Sequence, residues 1–318
     1  MVCSDRQTIK VTEIKPNLTR DTSYPCISVV TPSYNQGQFI EQTIRSVLLQ
    51  NYPNLEYIII DGGSTDNTVE IIKKYEPYIT YWVSEPDRGQ YDAITKGFAR
   101  ATGDIMAWLN SDDVYFPFAF KTVASIMSQL TEVEWLTTLN PACWDWHGYC
   151  REISAIAGYS KEAFLDGYYS PWLENHNYIG WIQQESTFWR RSLWSKVGSH
   201  LRTEFNFASD FDLWTRFYLH ADLYGTLSPL GGFRLRFDRR SLDPQYAIEA
   251  NKSLRQMQQS LNWKDRRWKN QLIRAKLHNI PKIKAWTRKA YGFTGKRIIK
   301  PNYDRPNGNW EIEKYKFL

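Results

Sequence analysis

Residues 104–113 read DIMAWLNSDD, an apolar run that ends in two adjacent carboxylates, Asp112 and Asp113. A short apolar run bounded by polar residues predicts a buried strand. The NSDD segment is typical of a turn, because Asn, Ser and Asp side chains bond their own backbone. Paired acids at a strand end can equally bind Mg²⁺ or Mn²⁺, which take one or two carboxylates and leave other positions to water and substrate phosphates. This stretch alone leaves both interpretations open.

Similar apolar runs alternate with segments of helical periodicity along the first half of the chain. The predicted strands are CISVVT (26–31), EYIIID (56–61), ITYWVS (79–84), DIMAWLN (104–110) and EWLTTL (134–139). The predicted helices cover residues 39–49, 65–75, 91–101, 118–130 and 208–219. Strands joined by crossover helices form a mainly parallel sheet, so we predict an α/β, Rossmann-like fold with helices flanking a central sheet.

Polar residues follow four of these strands. Ligands bind open α/β sheets beyond the carboxyl ends of the strands, so these residues are the first candidates for a binding site. They are Thr31 with PSYN (32–35), Asp61 with GGSTDNT (62–68), EPDRGQYD (85–92) and NSDD (110–113). Residues 141–185 are rich in aromatics and lack clean periodicity, which indicates loops and short strands along one wall of a cleft.

The glycines after Asp61 do not have the spacing of a dinucleotide fingerprint, and no Lys-Ser/Thr pair of a P-loop follows them. A redox enzyme or an NTPase is therefore disfavoured. Asp61 could accept a hydrogen bond from a base ring nitrogen, while Gly62 and Gly63 allow close approach of the backbone. A helix N-terminal loop would also explain Ser64 to Asp66, but it explains Asp61 less well.

The composition bounds the class and the location of the protein. The chain has 318 residues and an apolar fraction of 42%, enough for a sizeable core. No apolar run is long enough to span a bilayer and no secretory signal opens the chain, so we expect a cytoplasmic protein. The four cysteines are scattered without CxxC spacing, which argues against a disulfide framework and a zinc site.

The charge is divided unevenly along the chain. Residues 251–318 carry 18 Lys and Arg against 4 Asp and Glu, whereas the rest carries 22 against 30. Within this segment, residues 263–293 combine cationic and aromatic side chains, as in helices that lie on anionic membranes. A brace across the body is the alternative to membrane binding. Nucleic acid is disfavoured as a partner, because no recognised nucleic-acid fold accompanies the charge.

The motifs together resemble the nucleotide-binding half of family 2 inverting glycosyltransferases, which have the GT-A fold. The resemblance runs from ISVVTPSYNQGQF and IIIDGGSTDNT to DRGQYDAITKGFARATGDIMAWLNSDD. It returns at QQESTFWRRSLWSKVG (183–198) and ASDFDLWTRF (208–217). It implies a GT-A domain over residues 1–245, with a nucleotide-binding half at about 24–140 and an acceptor half at about 141–245. Residues 246–318 are then a helical, basic, amphipathic C-terminal extension.

Carried over position by position, the resemblance implies a nucleotide and metal site. The nucleotide-binding residues it implies are Thr31, Pro32, Tyr34, Asp61, Gly62, Arg88 and Asp112. Asp113, together with Asp112, would hold Mg²⁺ or Mn²⁺. The family often has Asp where this chain has Asn110, and many relatives have His where it has Arg236. Both departures put full metal dependence in doubt, while Arg236 could still contact the diphosphate.

The resemblance also implies the acceptor side of the site. Asp210, the first acid of DFDLW, matches the general base, and the alternative is an acid that complements the dipole of its helix. Gln184, Glu185 and Trp181 would line the acceptor side, with Glu185 as the second candidate base.

The expected activity is inverting transfer of a sugar from a nucleotide-sugar donor, most simply a UDP-sugar, to a glycan hydroxyl. The resemblance favours a metal-dependent, hexosyltransferase-like enzyme of bacterial surface polysaccharide biosynthesis, with an acceptor that could be lipid-linked. Two alternatives stay open. One is a sugar nucleotidyltransferase, although no Gly-rich, Lys-containing loop follows the first strand. The other is a non-catalytic carbohydrate-binding protein on the same fold.

Overall fold

The structure, a computed structural model, describes residues 21–170, 179–237, 242–264, 280, 289, 292–301 and 308–317. A nine-stranded sheet runs in the order β13-β12-β10-β6-β9-β4-β1-β2-β3. Its strands are β1 (Ile27–Ser33), β2 (Leu55–Asp61), β3 (Tyr81–Ser84), β4 (Ile105–Trp108), β6 (Trp135–Thr138), β9 (Phe188–Arg190), β10 (Leu223–Thr226), β12 (Phe293–Ile299) and β13 (Glu311–Phe317). The first four strands pair in parallel, and only β9 and β13 run against their neighbours.

Eight helices of the described residues flank this sheet. They are α1 (Ile40–Leu48), α2 (Thr68–Tyr75), α3 (Gln90–Arg100), α4 (Ala119–Gln129), α5 (Lys161–Leu165), α6 (Arg191–Lys196), α7 (Ser209–His220) and α8 (Pro244–Ser260). The predicted mainly parallel α/β sheet with flanking helices is confirmed, because each predicted strand and helix has its counterpart within a few residues.

Two hydrophobic cores lie on opposite faces of the sheet. Successive side chains of a strand point to opposite faces, and β1 sends Val29 into one core and Val30 into the other. The core around Val29 packs against α1, α2 and α4, and the core around Val30 packs against α3 and α5 to α8. With both faces covered, only the edges and the strand ends can offer a polar site.

A smaller sheet of β5 (Val114–Tyr115), β11 (Gly231–Arg234), β7 (Ala142–Trp144) and β8 (Cys150–Ile153) lies next to the end of β4. Here β5 pairs antiparallel with β11, with Gly232 opposite Val114. Because β5 follows the NSDD turn directly, this pairing brings residues 234–236 against the turn. The prediction of short strands in the 141–185 region agrees with β7 and β8.

The C-terminal segment differs from the expected helical extension. Helix α8 buries Ala250, Leu254 and Met257 in the core shared with α7. Residues 293–299 and 311–317 are strands, and β12 joins the main sheet in parallel beside β10. The described parts of 246–318 therefore contribute to the core and to the main sheet.

The predicted amphipathic stretch 263–293 lies almost entirely outside the described residues. Among the residues that are described, none of the helices combines the length and apolarity needed to cross a bilayer.

Candidate active site

The ends of β1, β2 and β3 come together at one edge of the sheet. Parallel register places Ser33 opposite Asp61 and Asp61 opposite Ser84. The Gly62 N–H donates to the Ser33 carbonyl at 2.8 Å, so the loop after β2 is tied to the end of β1. The expected convergence of strand ends is therefore present, and Pro32 is buried within it while Gly62 is partly exposed.

Asp61 organises this edge from inside. Its side chain is fully buried, and its two oxygens accept from the Gly63 N–H at 3.2 Å, the Ser64 N–H at 2.9 Å, the Ser64 hydroxyl at 2.5 Å and the Ser84 hydroxyl at 2.6 Å. Thr31 is also fully buried, with its hydroxyl 3.2 Å from that of Tyr57. Both side chains are buried and hydrogen-bonded within the protein, and Asp61 holds the loop after β2 in place.

The solvent-facing residues of the same edge are Tyr34 and Arg88. Tyr34 is 59% exposed, directly after the buried end of β1. The Arg88 side chain is 78% exposed, and its guanidinium donates to the Asp92 carboxylate at 2.7 Å. Among the predicted nucleotide-binding residues on this side, these two have the most exposed side chains.

Asn110 is the centre of a polar network at the end of β4. Its amide oxygen accepts from Gln90 at 2.6 Å, and its Nδ2 donates to Asp113 at 3.1 Å and to the Gln184 side-chain oxygen at 3.3 Å. A carboxylate here would have no N–H to give to Asp113. Asn110, in place of the Asp that the family often has, thus provides the N–H that Asp113 accepts.

Asp113 is buried beneath the turn. Its Oδ1 accepts from the backbone N–H of Arg234 at 2.8 Å, and its Oδ2 accepts from Asn110. Burial, together with the negative charges of Asp112 and Glu185, raises the pKa of the Asp113 carboxyl well above its usual range. These contacts give Asp113 a structural position between β4 and β11.

Asp112 faces outward from the same turn. Its Oδ2 accepts from Nη1 of Arg236 at 3.0 Å, and the same nitrogen donates to the Gln36 side-chain oxygen at 2.9 Å. The Asp112 side chain is 25% exposed and that of Arg236 is 11% exposed. The predicted diphosphate contact, Arg236, therefore meets the predicted ribose-side acid at the mouth of the site.

These side chains do not fit a cation site in which both acids are ligands. Asp113 is buried with hydrogen bonds on both oxygens, and Asp112 is already paired with a guanidinium. The described residues contain no group of three or more His, Cys, Asp or Glu side chains placed to hold a metal ion. Arg236 cannot replace the family's His as a ligand, because a guanidinium has no lone pair to offer.

Glu185 lies in a short 3-10 turn, Gln184–Ser186, below Asp113. Burial raises the pKa of its carboxyl to about 7, and the charges of Asp210 and Asp112 act in the same direction. Gln184 is buried, donating to the Trp108 carbonyl at 2.7 Å, while Trp181 is partly exposed. The Glu185 carboxyl is therefore within electrostatic range of both Asp112 and Asp210, whereas Gln184 holds the end of β4.

Asp210 lies in the first turn of α7 and contacts α8. The Tyr246 hydroxyl lies 3.3 Å from Asp210 Oδ2. The carboxylate of Glu249, also on α8, accepts from the backbone N–H groups of residues 206, 207 and 208, which fixes the loop before α7. Asp212 is instead buried, with Arg216 at 2.9 Å and the Ser253 hydroxyl at 2.7 Å. Of the two acids in DFDLW, Asp210 is the one whose charge raises the pKa of Glu185.

Sequence reasoning missed Arg234, Gln36 and Tyr246. Arg234 is buried and donates to the carbonyls of Asp112, Asp145 and Trp146 and to the Gln42 side chain. A signal was present, because alternate residues of a strand share a face and Arg234 precedes Arg236 by two positions. No comparable local pattern marked Gln36 or Tyr246, whose roles depend on contacts across the fold.

Comparisons with known proteins agree with this architecture. The family model described as glycosyl transferase family 2 matches residues 28–137. The chain is 43% identical over 94 residues to TuaG of Bacillus subtilis, a proposed teichuronic acid biosynthesis glycosyltransferase, covering 28% of this chain and 36% of that protein. Two glycosyltransferases of Mycobacterium tuberculosis are 45% identical to the chain over 93 residues, and the chain likewise spans about a third of their length, 36%.

Solved structures show the fold. TarS of S. aureus in complex with UDP-GlcNAc superposes with a TM-score of 0.58 at 17% identity, over 73% of this chain and 66% of TarS. The mannosyltransferase PcManGT of Pyrobaculum calidifontis, in complex with GDP-Man and Mn²⁺, gives a TM-score of 0.51 at 14% identity, over 86% of each chain. The fold is GT-A.

Proposed function

We propose that the protein, whose residues 28–137 match the family 2 glycosyl transferase model and whose fold is GT-A, transfers a sugar from a nucleotide-sugar donor, most simply a UDP-sugar, to a hydroxyl of a glycan acceptor. The observation that carries this proposal is the arrangement at the end of β4. There Asp112, an outward acid paired with Arg236, and a second acid, Asp210, both raise the pKa of the buried Glu185 carboxyl through their charges.

The donor lies in this proposal along the edge formed by the ends of β1, β2 and β4. Tyr34 and Arg88 border the nucleoside, Asp112 faces the ribose and Arg236 faces the diphosphate. A guanidinium suits this place, because it stays charged and its N–H groups match phosphate oxygens in parallel pairs. The buried carboxylate of Asp61 keeps the loop after β2 in shape behind the nucleoside.

Asp210 acts as general base on the acceptor. Its carboxylate takes the proton of the acceptor hydroxyl as that oxygen bonds to the anomeric carbon. The bond from this carbon to the diphosphate oxygen breaks on the opposite side, and the nucleoside diphosphate leaves with the bonding electrons. Displacement from the opposite side inverts the anomeric configuration. Glu185, with its pKa near 7, is the second candidate base.

Bacterial surface polysaccharide synthesis is the proposed setting, with a glycan acceptor that is carried on a lipid. The similarity to TuaG and TarS supports this setting. Residues 263–293 would then lie on the anionic inner face of the membrane, with the enzyme on its cytoplasmic side. Partly exposed Trp181 borders the acceptor side of the site.

A panel of nucleotide sugars tests the proposal. Incubated with the full chain, the correct donor should release its nucleoside diphosphate slowly by hydrolysis without acceptor, and faster when a glycan acceptor is added. Each donor is tried with and without Mg²⁺ or Mn²⁺. Release of pyrophosphate would instead indicate a sugar nucleotidyltransferase. Binding of glycans with no turnover of any donor would indicate a non-catalytic carbohydrate-binding protein.

A further inference from the structure

We propose that Arg236 supplies the positive charge that holds the donor diphosphate, so that nucleotide binding does not require a divalent cation. This inference rests on the proposed function, since it concerns the diphosphate part of the same site. It differs from the metal-dependent enzyme that the family resemblance implies.

The first argument is the placement of the Arg236 guanidinium. Its Nη1 joins Asp112, at the end of β4, to Gln36, in the loop after β1, over 3.0 and 2.9 Å. Its guanidinium carbon lies 4.8 Å from the centre of the Phe39 ring. Contacts from three directions fix the cation at the mouth of the site, which lowers the entropy cost of binding a ligand there.

The second argument is the rigidity of its support. Arg234, two residues earlier, is buried and bonded through its guanidinium to Asp112, Asp145, Trp146 and Gln42. It also lies 4.9 Å from the Phe39 ring centre. Its backbone N–H donates to Asp113. The segment that carries Arg236 is therefore anchored to the NSDD turn itself.

The third argument is the set of available ligands. Asp113 and Asn110 satisfy one another inside the turn, which leaves Asp112 as the outward acid of the motif. Asp112 is already paired with a cation, the Arg236 guanidinium. A guanidinium can exchange a carboxylate for a phosphate, because both present paired oxygens to its fork of N–H groups. An incoming diphosphate would thus meet a fixed positive charge at the place where other enzymes recruit a metal ion.

The test is isothermal titration calorimetry, in which nucleoside diphosphates (UDP, GDP, ADP and CDP) are titrated into the full chain and their affinities are measured. We expect at least one to bind in EDTA with an affinity within about threefold of that in Mn²⁺ or Mg²⁺. Arg236→Gln should weaken that binding in EDTA by about 10- to 100-fold, the usual cost of losing a charged hydrogen-bonding partner. Arg236→Lys, which keeps the charge but loses the fork, should fall between the two.

Arg255→Gln is the matched control, because Arg255 is an exposed arginine of α8. It should bind the nucleotide like the unaltered protein. Thermal unfolding of each variant shows that the fold is intact. Binding that appears only with Mn²⁺ or Mg²⁺ would overturn this inference and leave the proposed function standing. Unchanged binding by Arg236→Gln would also overturn it. Absence of nucleotide binding under either condition would overturn the inference and the proposed function together.

Discussion

Asp61 ends β2 and Asp112 lies in the turn after β4, at the same edge of the sheet, yet their environments are opposite. Asp61 is fully buried and accepts four hydrogen bonds from residues 63, 64 and 84. Asp112 is partly exposed and paired with Arg236. The difference teaches that an acid after a strand can serve the scaffold or the ligand, and that its surroundings decide which. By this criterion Asp113, like Asp61, stabilises the fold, whereas Asp210, like Asp112, is placed to meet a ligand.

Removing the Asp61 carboxylate should have the largest effect on stability. Asp61→Ala leaves four hydrogen bonds without their acceptor, so we expect the free energy of unfolding to fall by about 2–4 kcal/mol. Chemical denaturation measures this. Glu70→Ala, an exposed acid on α2, is the control and should change stability by less than about 0.5 kcal/mol. If both variants lowered the free energy of unfolding equally, the burial of Asp61 would not give its carboxylate a special role in stability.

Glu185 should make stability depend on pH. Its folded pKa is raised from 4.5 to about 7, so the folded protein keeps a proton that the unfolded chain loses between these values. Stability must therefore decrease as pH rises through this window, by about 2–3 kcal/mol. Glu185→Gln should flatten that decrease, as followed by denaturation at pH 4.5 to 7.5. Glu132→Gln, at an exposed site, should keep it. If Glu185→Gln kept the pH dependence of stability of the unaltered protein, the raised pKa of Glu185 would not be its cause.

Arg88 should have the smallest effect on stability. Its side chain is 78% exposed and its partner Asp92 also pairs with Lys96, so Arg88→Ala should change the free energy of unfolding by less than about 1 kcal/mol. In the proposed site it borders the nucleotide, and affinity for the bound nucleoside diphosphate should fall several-fold. Arg255→Ala serves as control in the same titration. Unchanged affinity would place the nucleoside away from Arg88.

The sequence predicted the sheet and its helices well because apolar runs and helical periodicity are local signals. It could not separate Asp61 from Asp112, since both appear as an acid after an apolar run. Burial of Asp61 depends on Ser84, and that of Asp113 depends on the backbone of Arg234, 121 residues away. Neither contact leaves a mark in the local pattern.

The C-terminal segment shows a second limit. The prediction of a basic extension rested on charge composition, whereas the alternation of Tyr315, Lys316 and Phe317 is a strand signal. That strand pairs antiparallel with β12. Charge composition describes the surface of a segment, whereas the periodicity of its apolar residues describes how it packs. The periodicity therefore predicts the secondary structure of the segment better than its charge does.

The most direct test of the account is the rate of sugar transfer by Asp210→Asn, measured beside nucleotide affinity and thermal stability. Asp222→Asn, a surface acid paired with Lys296, is the matched control. Loss of a general base predicts a transfer rate lower by about 10²- to 10⁴-fold, with nucleotide affinity and melting temperature unchanged. Asp222→Asn should keep the rate of the unaltered protein. Full transfer activity in Asp210→Asn would contradict the assignment of Asp210 as the base. It would also contradict the distinction between acids that stabilise the fold, Asp61 and Asp113, and acids that act on the substrates, Asp112 and Asp210.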